Sequence, residues 1–120
     1  MAASLYERLG GSEGITKIAS DALDHHLANP RIKARYEHLE NLEAVRQGAA
    51  NFFIEATGGP AVYEGKNMLE THKGMNIDEA EFIAVVDDIF DSMVANGVEQ
   101  PEQADVLFAL YSMRREIIGV

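Results

Sequence analysis

Four histidines, His25, His26, His38 and His72, are the side chains of this chain best suited to chemistry at neutral pH. Imidazole binds metals as a neutral base and exchanges protons in the physiological range. There is no cysteine, which excludes disulfides, thiolate metal sites and cysteine nucleophiles. No His-x-x-x-His or His-Glu-x-x-His spacing occurs, so a zinc site is disfavoured. His72 is the most informative of the four. It follows Gly58-Gly59-Pro60 after a stretch carrying Tyr63, Gly65 and Met68, and it shares one helical turn's apolar side with Met68 and Leu69. Two readings fit that position: a half-buried histidine satisfied by a backbone carbonyl, or a ligand. His26 falls on an apolar stripe with Leu23 and points partly inward, either bonded to a neighbour or as a polar group in a pocket. His25 and His38 read as solvated. Asp87-Asp88, Glu79 and Glu81 lie on a helix with a clear apolar face and read as mostly solvated surface. No glycine-rich phosphate loop and no nucleophile motif is present.

The elements that must position these side chains are helical. Gly10-Gly11 ends a short first helix, and Ser12 is the expected cap of the next, with Glu13 in its first turn. Ile15, Ile18, Ala19, Ala22, Leu23, His26 and Leu27 repeat at helical spacing until Asn29-Pro30 stops them. Asn41 caps a helix over 42–56 with Leu42, Val45, Ala49, Phe52, Phe53 and Ala56 as its apolar stripe. Residues 61–65 read as irregular, and a short helix from about Lys66 carries His72. Asp78 caps a helix to about Asn96, with Phe82, Val85, Val86, Ile89, Phe90 and Met93 inward. Pro101 opens a last helix through about Ile118, with Ala104, Leu107, Phe108, Leu110 and Tyr111 apolar. No strand pattern or repeat appears. The expectation is one all-α domain over 1–120.

Twenty acidic residues against ten basic ones give a formal charge of -10. That disfavours nucleic acid and anionic membranes as partners. No apolar run approaches the roughly 18 residues of a membrane span. The N-terminus has no basic segment followed by a long apolar one, so a cytoplasmic location is expected.

The motifs together resemble a group I truncated haemoglobin along nearly the whole chain. Ser4-Leu5-Tyr6-Glu7-Arg8-Leu9-Gly10-Gly11 is similar to the family's opening, and Leu27-Ala28-Asn29-Pro30 to its helix-ending motif. Phe52-Phe53 before Gly58-Gly59-Pro60 resembles the end of its distal helix. Tyr63, Gly65, Met68, His72, Gly74 and Ile77 resemble its proximal segment. The resemblance implies a two-on-two helical sandwich around haem b. It makes His72 the proximal iron ligand and Tyr36 a haem-packing aromatic. Val45, Ala49 and Phe53 would form the distal wall, with Met68, Ile77, Phe82 and Val85 in contact on the proximal side. Tyr63 and Lys66 would lie near the propionates, either bonded to them or at the surface.

On the distal side the chain departs from the family pattern. Many group I members carry a Tyr on the second helix and a Gln on the distal helix, and here those positions are Leu23 and Ala49, with Val45 at the gate. Gln47 should point away. A charge-assisted hydrogen bond to dioxygen is worth on the order of 1–3 kcal/mol. Its loss implies faster dioxygen release and relatively strong carbon monoxide binding, unless His26 reaches the pocket. The expected partners are O2, NO and CO, a reductant of unknown identity, and no stable oligomer beyond a monomer or weak dimer. Oxygen binding or transport and nitric oxide detoxification are the expected roles. A peroxidase-like haem enzyme and a haem-free helical interaction module are the alternatives.

Overall fold

In the computed structural model, residues 3–120 are described; Met1 and Ala2, at the start of the expected domain, lie outside the described residues. The chain forms α1 (Leu5–Arg8), α2 (Gly11–Ala28), α3 (Leu42–Ala56), α4 (Met68–His72), α5 (Glu79–Ala95) and α6 (Gln100–Ser112), with single 3-10 turns at Lys33–Arg35 and Arg114–Glu116. Among the described residues the only strand-like contact is one parallel bridge between Ile77 and Ile118.

Side-chain caps set most of the starts. The Asn41 carboxamide oxygen accepts from the Ala44 N–H at 3.1 Å and opens α3 at the expected residue. Asp78 accepts from the Glu81 N–H at 2.7 Å while Glu81 accepts from the Asp78 N–H at 3.2 Å, a reciprocal capping box that opens α5. Asn67 accepts from the Glu70 N–H at 2.8 Å, so α4 begins after it, two residues later than Lys66. Ser12 does not cap α2. The helix starts two residues earlier, after Gly10 in the left-handed region (φ 98°), and the Ser12 hydroxyl bonds the Tyr6 hydroxyl at 2.7 Å.

The layers are an α2/α3 pair packed over an α5/α6 pair. α2 is shared: it packs on both α3 and α5. Arg46 of α3 donates to the Ser20 carbonyl at 2.7 Å and pairs with Asp24 at 3.0 Å. The Ser92 hydroxyl of α5 donates to the Ile18 carbonyl at 2.7 Å, and Asn96 donates to Asp21 at 3.0 Å. The core takes Ile15 and Ala22 from α2, Ile54 from α3, Phe82, Val86, Ile89 and Met93 from α5, and Val106 and Leu110 from α6.

Two helices depart from their expected faces. α6 ends at Ser112 rather than Ile118, and the chain after it turns back so that the Gly119 N–H donates to the Ile77 carbonyl at 2.9 Å. Its buried face is Val106 and Leu110. Leu107, Tyr111 and Phe108, the last 74% exposed, face outward with Ala104. Apolar residues run along both sides of this helix, and contact with α5 selects the other side. In α3 the sealed residues are Ala50 and Ile54; Val45, Ala49, Phe52 and Phe53 are only half-buried, and Ala56 is exposed.

Gly59 is where the chain leaves α3 against α1. A Cβ there would stand 2.4 Å from the Tyr6 ring and 2.7 Å from the Ile54 carbonyl oxygen. Gly59→Ala is expected to lower stability by about 1–3 kcal/mol. Gly48→Ala, whose Cβ meets nothing within 4 Å, is expected to raise it by about 0.5–1 kcal/mol. Urea unfolding of the haem-free protein checks both, and equal effects would contradict the packing described.

Candidate cofactor site

The half-buried stripe of α3 lines a cleft of about 710 Å³, inside the range of about 300–1,000 Å³ usual for small-molecule sites. One wall is Ala19, Ala22 and Leu23 of α2 with Val45, Gly48, Ala49, Phe52 and Phe53 of α3. The other is Met68 and His72 of α4, Val85 and Ile89 of α5, and Leu110, Met113 and Ile117 from the end of the chain. Tyr36, Val62, Tyr63 and Gly65 close its sides. Walls this apolar are unfavourable in contact with water, at about 25 cal/mol for each Å² exposed, and favour a large apolar occupant.

His72 brings the polar atom that the occupant would meet. Its Nδ1 lies 2.8 Å from the Met68 carbonyl oxygen, one turn back on α4. A carbonyl only accepts, so Nδ1 carries the proton and Nε2 keeps its lone pair. Among the described residues no second partner holds the ring, and the residue lines the cleft. A neutral imidazole with one nitrogen held by a backbone carbonyl and the other free is the form that ligates iron. A bare metal ion is less well served, since no group of three or more His, Asp or Glu side chains converges among the described residues.

α4 is too short to hold itself in place. Arg35 pairs with both Glu81 carboxylate oxygens through its Nε and Nη2 and donates from Nη1 to the Met75 carbonyl at 3.1 Å, tying the start of α5 and the segment after His72 to the loop before Tyr36. That pairing holds the Glu81 carboxyl below its ordinary range and the Arg35 guanidinium above its own. The Gly74 N–H donates to the Val120 carbonyl at 3.1 Å. Tyr63 donates its hydroxyl to the Lys66 carbonyl at 2.5 Å, folding the loop ahead of α4 over Gly65, where a Cβ would meet that hydroxyl at 2.4 Å.

Ten of the residues singled out in the sequence line this cleft: Leu23, His26, Tyr36, Val45, Ala49, Phe53, Tyr63, Met68, His72 and Val85. Three lie elsewhere. Lys66 is exposed, and only its carbonyl is engaged. Ile77 is buried against Ile118, and Phe82 is buried in the helical core. Gln47, expected to point away, sits exposed at the cleft and bonds Asn51 at 2.9 Å. Leu110, Met113 and Ile117 were not anticipated as lining; their spacing of three and four does continue the α6 stripe past the helix end. Asp88 is a correction of another kind. It is 7% exposed rather than solvated, and its carboxylate bonds His26 Nδ1 at 2.8 Å and Asn29 at 3.2 Å. His25 and His38 are exposed, as expected.

A family model described as bacterial-like globin matches residues 4–118. The chain belongs to the bacterial-like globin family. A group 1 truncated haemoglobin of Tetrahymena pyriformis is 27% identical over 116 residues, covering 97% of this chain and 95% of the relative. One from Mycolicibacterium paratuberculosis is 28% identical over 115 residues, covering 96% and 84%. The solved Fe(III) form of the Tetrahymena pyriformis truncated haemoglobin superposes with a TM-score of 0.93 at 25% identity, over 98% of this chain and 100% of that one. The 2/2 haemoglobin of a Synechococcus species shares the fold with a TM-score of 0.89 at 20% identity, over 98% and 100%. The two-on-two truncated-globin architecture and a haem cofactor follow for this globin, and the haem-free interaction module is set aside. The cleft's size, its apolar walls and the free His72 nitrogen fit haem.

His26, 7% exposed, carries a pH signature. Burial pushes its imidazole below the ordinary value of 6.5, opposed by Asp88. The unfolded chain therefore binds the proton first, and the stability tied to neutral His26 is present above about pH 6.5 and lost as pH falls through the folded value. Denaturant unfolding of this globin is expected to show stability dropping below about pH 6.5, before carboxylates titrate near about pH 4. His26→Gln should flatten that window; a drop of the same size in the variant would assign it to another group.

Proposed function

We propose that His72 is the proximal ligand of haem b in this globin and that O2, NO and CO bind on the distal side beneath Leu23, Val45 and Ala49. The supporting observation is the His72 ring, its Nδ1 proton given to the Met68 carbonyl at 2.8 Å and its Nε2 left for iron. Haem supplies, when bound, the iron that coordinates the gas. The chain's part is to hold the disc in the cleft, keep water from it and set what faces the ligand.

What faces the ligand is mostly hydrocarbon. Leu23 is buried, Val45 and Ala49 are half-buried, and none offers a hydrogen to a gas molecule carrying partial negative charge. Such a site favours dioxygen turnover over dioxygen retention and leaves carbon monoxide comparatively well bound. Oxygen binding or transport suits it better than nitric oxide detoxification. Oxidation of nitric oxide to nitrate by dioxygen needs the oxygen to persist until the second gas arrives, and a reductant must return the electron that each turnover consumes.

Reconstitution with haem tests the ligand. Wild type is expected to take up one equivalent and give a five-coordinate ferrous spectrum and a ferrous-CO band. His72→Ala is expected to lose the proximal bond and regain it with added imidazole. Identical spectra for the two would rule His72 out. The distal reading has its own test: Ala49→Gln introduces a donor and is expected to slow dioxygen release by roughly tenfold or more, the equivalent of about 1.4 kcal/mol. Stopped-flow dissociation rates measure this, and an unchanged rate would mean that the wall at Ala49 does not face the gas.

A further inference from the structure

The haem reading above gives His26 no role, yet its ring is held from two other elements. It comes from α2 and lines the same cavity as His72. Asp88 of α5 lies 2.8 Å from its Nδ1, and the Asn29 carboxamide donates to both Asp88 oxygens at 3.2 Å. A carboxylate so placed accepts from Nδ1–H, so the lone pair of the neutral ring is on Nε2. Among the described residues no buried side-chain nitrogen or oxygen lacks a partner. Among those residues His26 Nε2 has no partner, so it is not sealed from solvent, and its residue lines the cleft. Tyr36 stacks on the ring, with centroids 5.1 Å apart and planes at 21°, and lines the cleft beside it. A lone pair thus stands at a cavity whose walls are otherwise largely apolar.

This arrangement suits dioxygen poorly, because the neutral ring has spent its only N–H on Asp88. It suits a ligand that carries a proton of its own. Building on the haem reading above, we propose that His26 is a proton-accepting site for small weak acids H–X entering the cleft, hydrogen sulfide and hydrogen peroxide being examples of the class. The H–X bond breaks with its electron pair left on X, and the proton passes to His26 Nε2. Asp88 holds the ring in the accepting tautomer and balances the imidazolium once it forms. No electron is gained or lost. The charged and titratable groups around the ring are Asp88 from α5, His25 beside it on α2, and Tyr36 with Arg35 from the following loop. Burial dominates among them and keeps the ring neutral before a ligand enters, and the anion left beside it favours the charged ring once the proton has moved.

Cyanide is the probe, since near neutral pH it is present as the un-ionised acid and has no redox chemistry of its own here. Ferric haem-loaded protein is mixed with cyanide in weak buffer containing an indicator dye, and protons released are counted against cyanide bound. Wild type is expected to retain the proton and release almost none, whereas His26→Leu releases one for each cyanide and binds it roughly 10²–10⁴-fold more slowly, the usual worth of a positioned base. Release of one proton by wild type, or equal retention by wild type and His26→Leu, overturns the proposal. Removing His26 leaves Asp88 buried without its partner, so ¹⁵N NMR of the wild-type imidazole gives a second readout. The unliganded protein should show Nδ1 protonated and Nε2 bare, and cyanide should protonate Nε2; a bare Nε2 after cyanide binds overturns the proposal. A protein that binds haem and cyanide but releases the proton refutes this inference alone, whereas failure to bind haem through His72 refutes the reading beneath it.

Discussion

The hydrogen bond from His72 to the Met68 carbonyl is the contact on which the rest of the site depends. An imidazole free to choose its tautomer and rotate would present iron with the wrong nitrogen or the wrong direction for much of the time. A backbone carbonyl one turn earlier removes that choice, because it can only accept. The cost is that a five-residue helix must stay formed, and helices this short are not stable alone. The surrounding structure supplies what α4 lacks: the Asn67 cap at its start, Tyr63 on the Lys66 carbonyl ahead of it, and the Arg35–Glu81 pair with its reach to Met75 behind it.

Those supports have a common logic. A chain of 120 residues has little core to spare, and a cleft wide enough for a flat cofactor removes part of it. Parts of the apolar faces of α3 and α5, Val45, Ala49, Phe52 and Phe53 on one and Val85 on the other, are left half-buried. α2 makes this possible by packing on both, through Ala22 and Ile15 to the core and through Ser92 and Arg46 as polar anchors. Filling the cleft with haem would complete the core, so cofactor binding and folding stability are coupled in one equilibrium.

How much of this was legible in the sequence differs from element to element. The bounds of α3 and α5 could be read closely because Asn41 and Asp78 are strong caps, but the residues α3 seals, Ala50 and Ile54, lie off the stripe its sequence suggests. α6 could not, because Leu107, Phe108 and Tyr111 make as good a stripe as Val106 and Leu110, and only the position of α5 decides between them. His72 was visible through local spacing. The His26–Asp88 contact was not, since the two residues are 62 positions apart and Asp88 sits next to Asp87, which is exposed. Ile77 and Phe82 show the limit of carrying a family's contacts across by position alone. Each lies where the pattern puts it along the chain, yet its side chain answers to local packing: Ile77 to Ile118, Phe82 to the core.

The exchangeable proton on His72 Nδ1 offers the most direct test of the account. In the ferrous, ligand-free, haem-loaded protein, a proximal imidazole whose Nδ1–H is held by a carbonyl should give a single strongly shifted, slowly exchanging proton resonance. The account predicts that this signal is present in wild type and in His26→Gln, and absent in His72→Gly. A signal that survives in His72→Gly, or that disappears with His26, would contradict it by placing the iron on a different histidine.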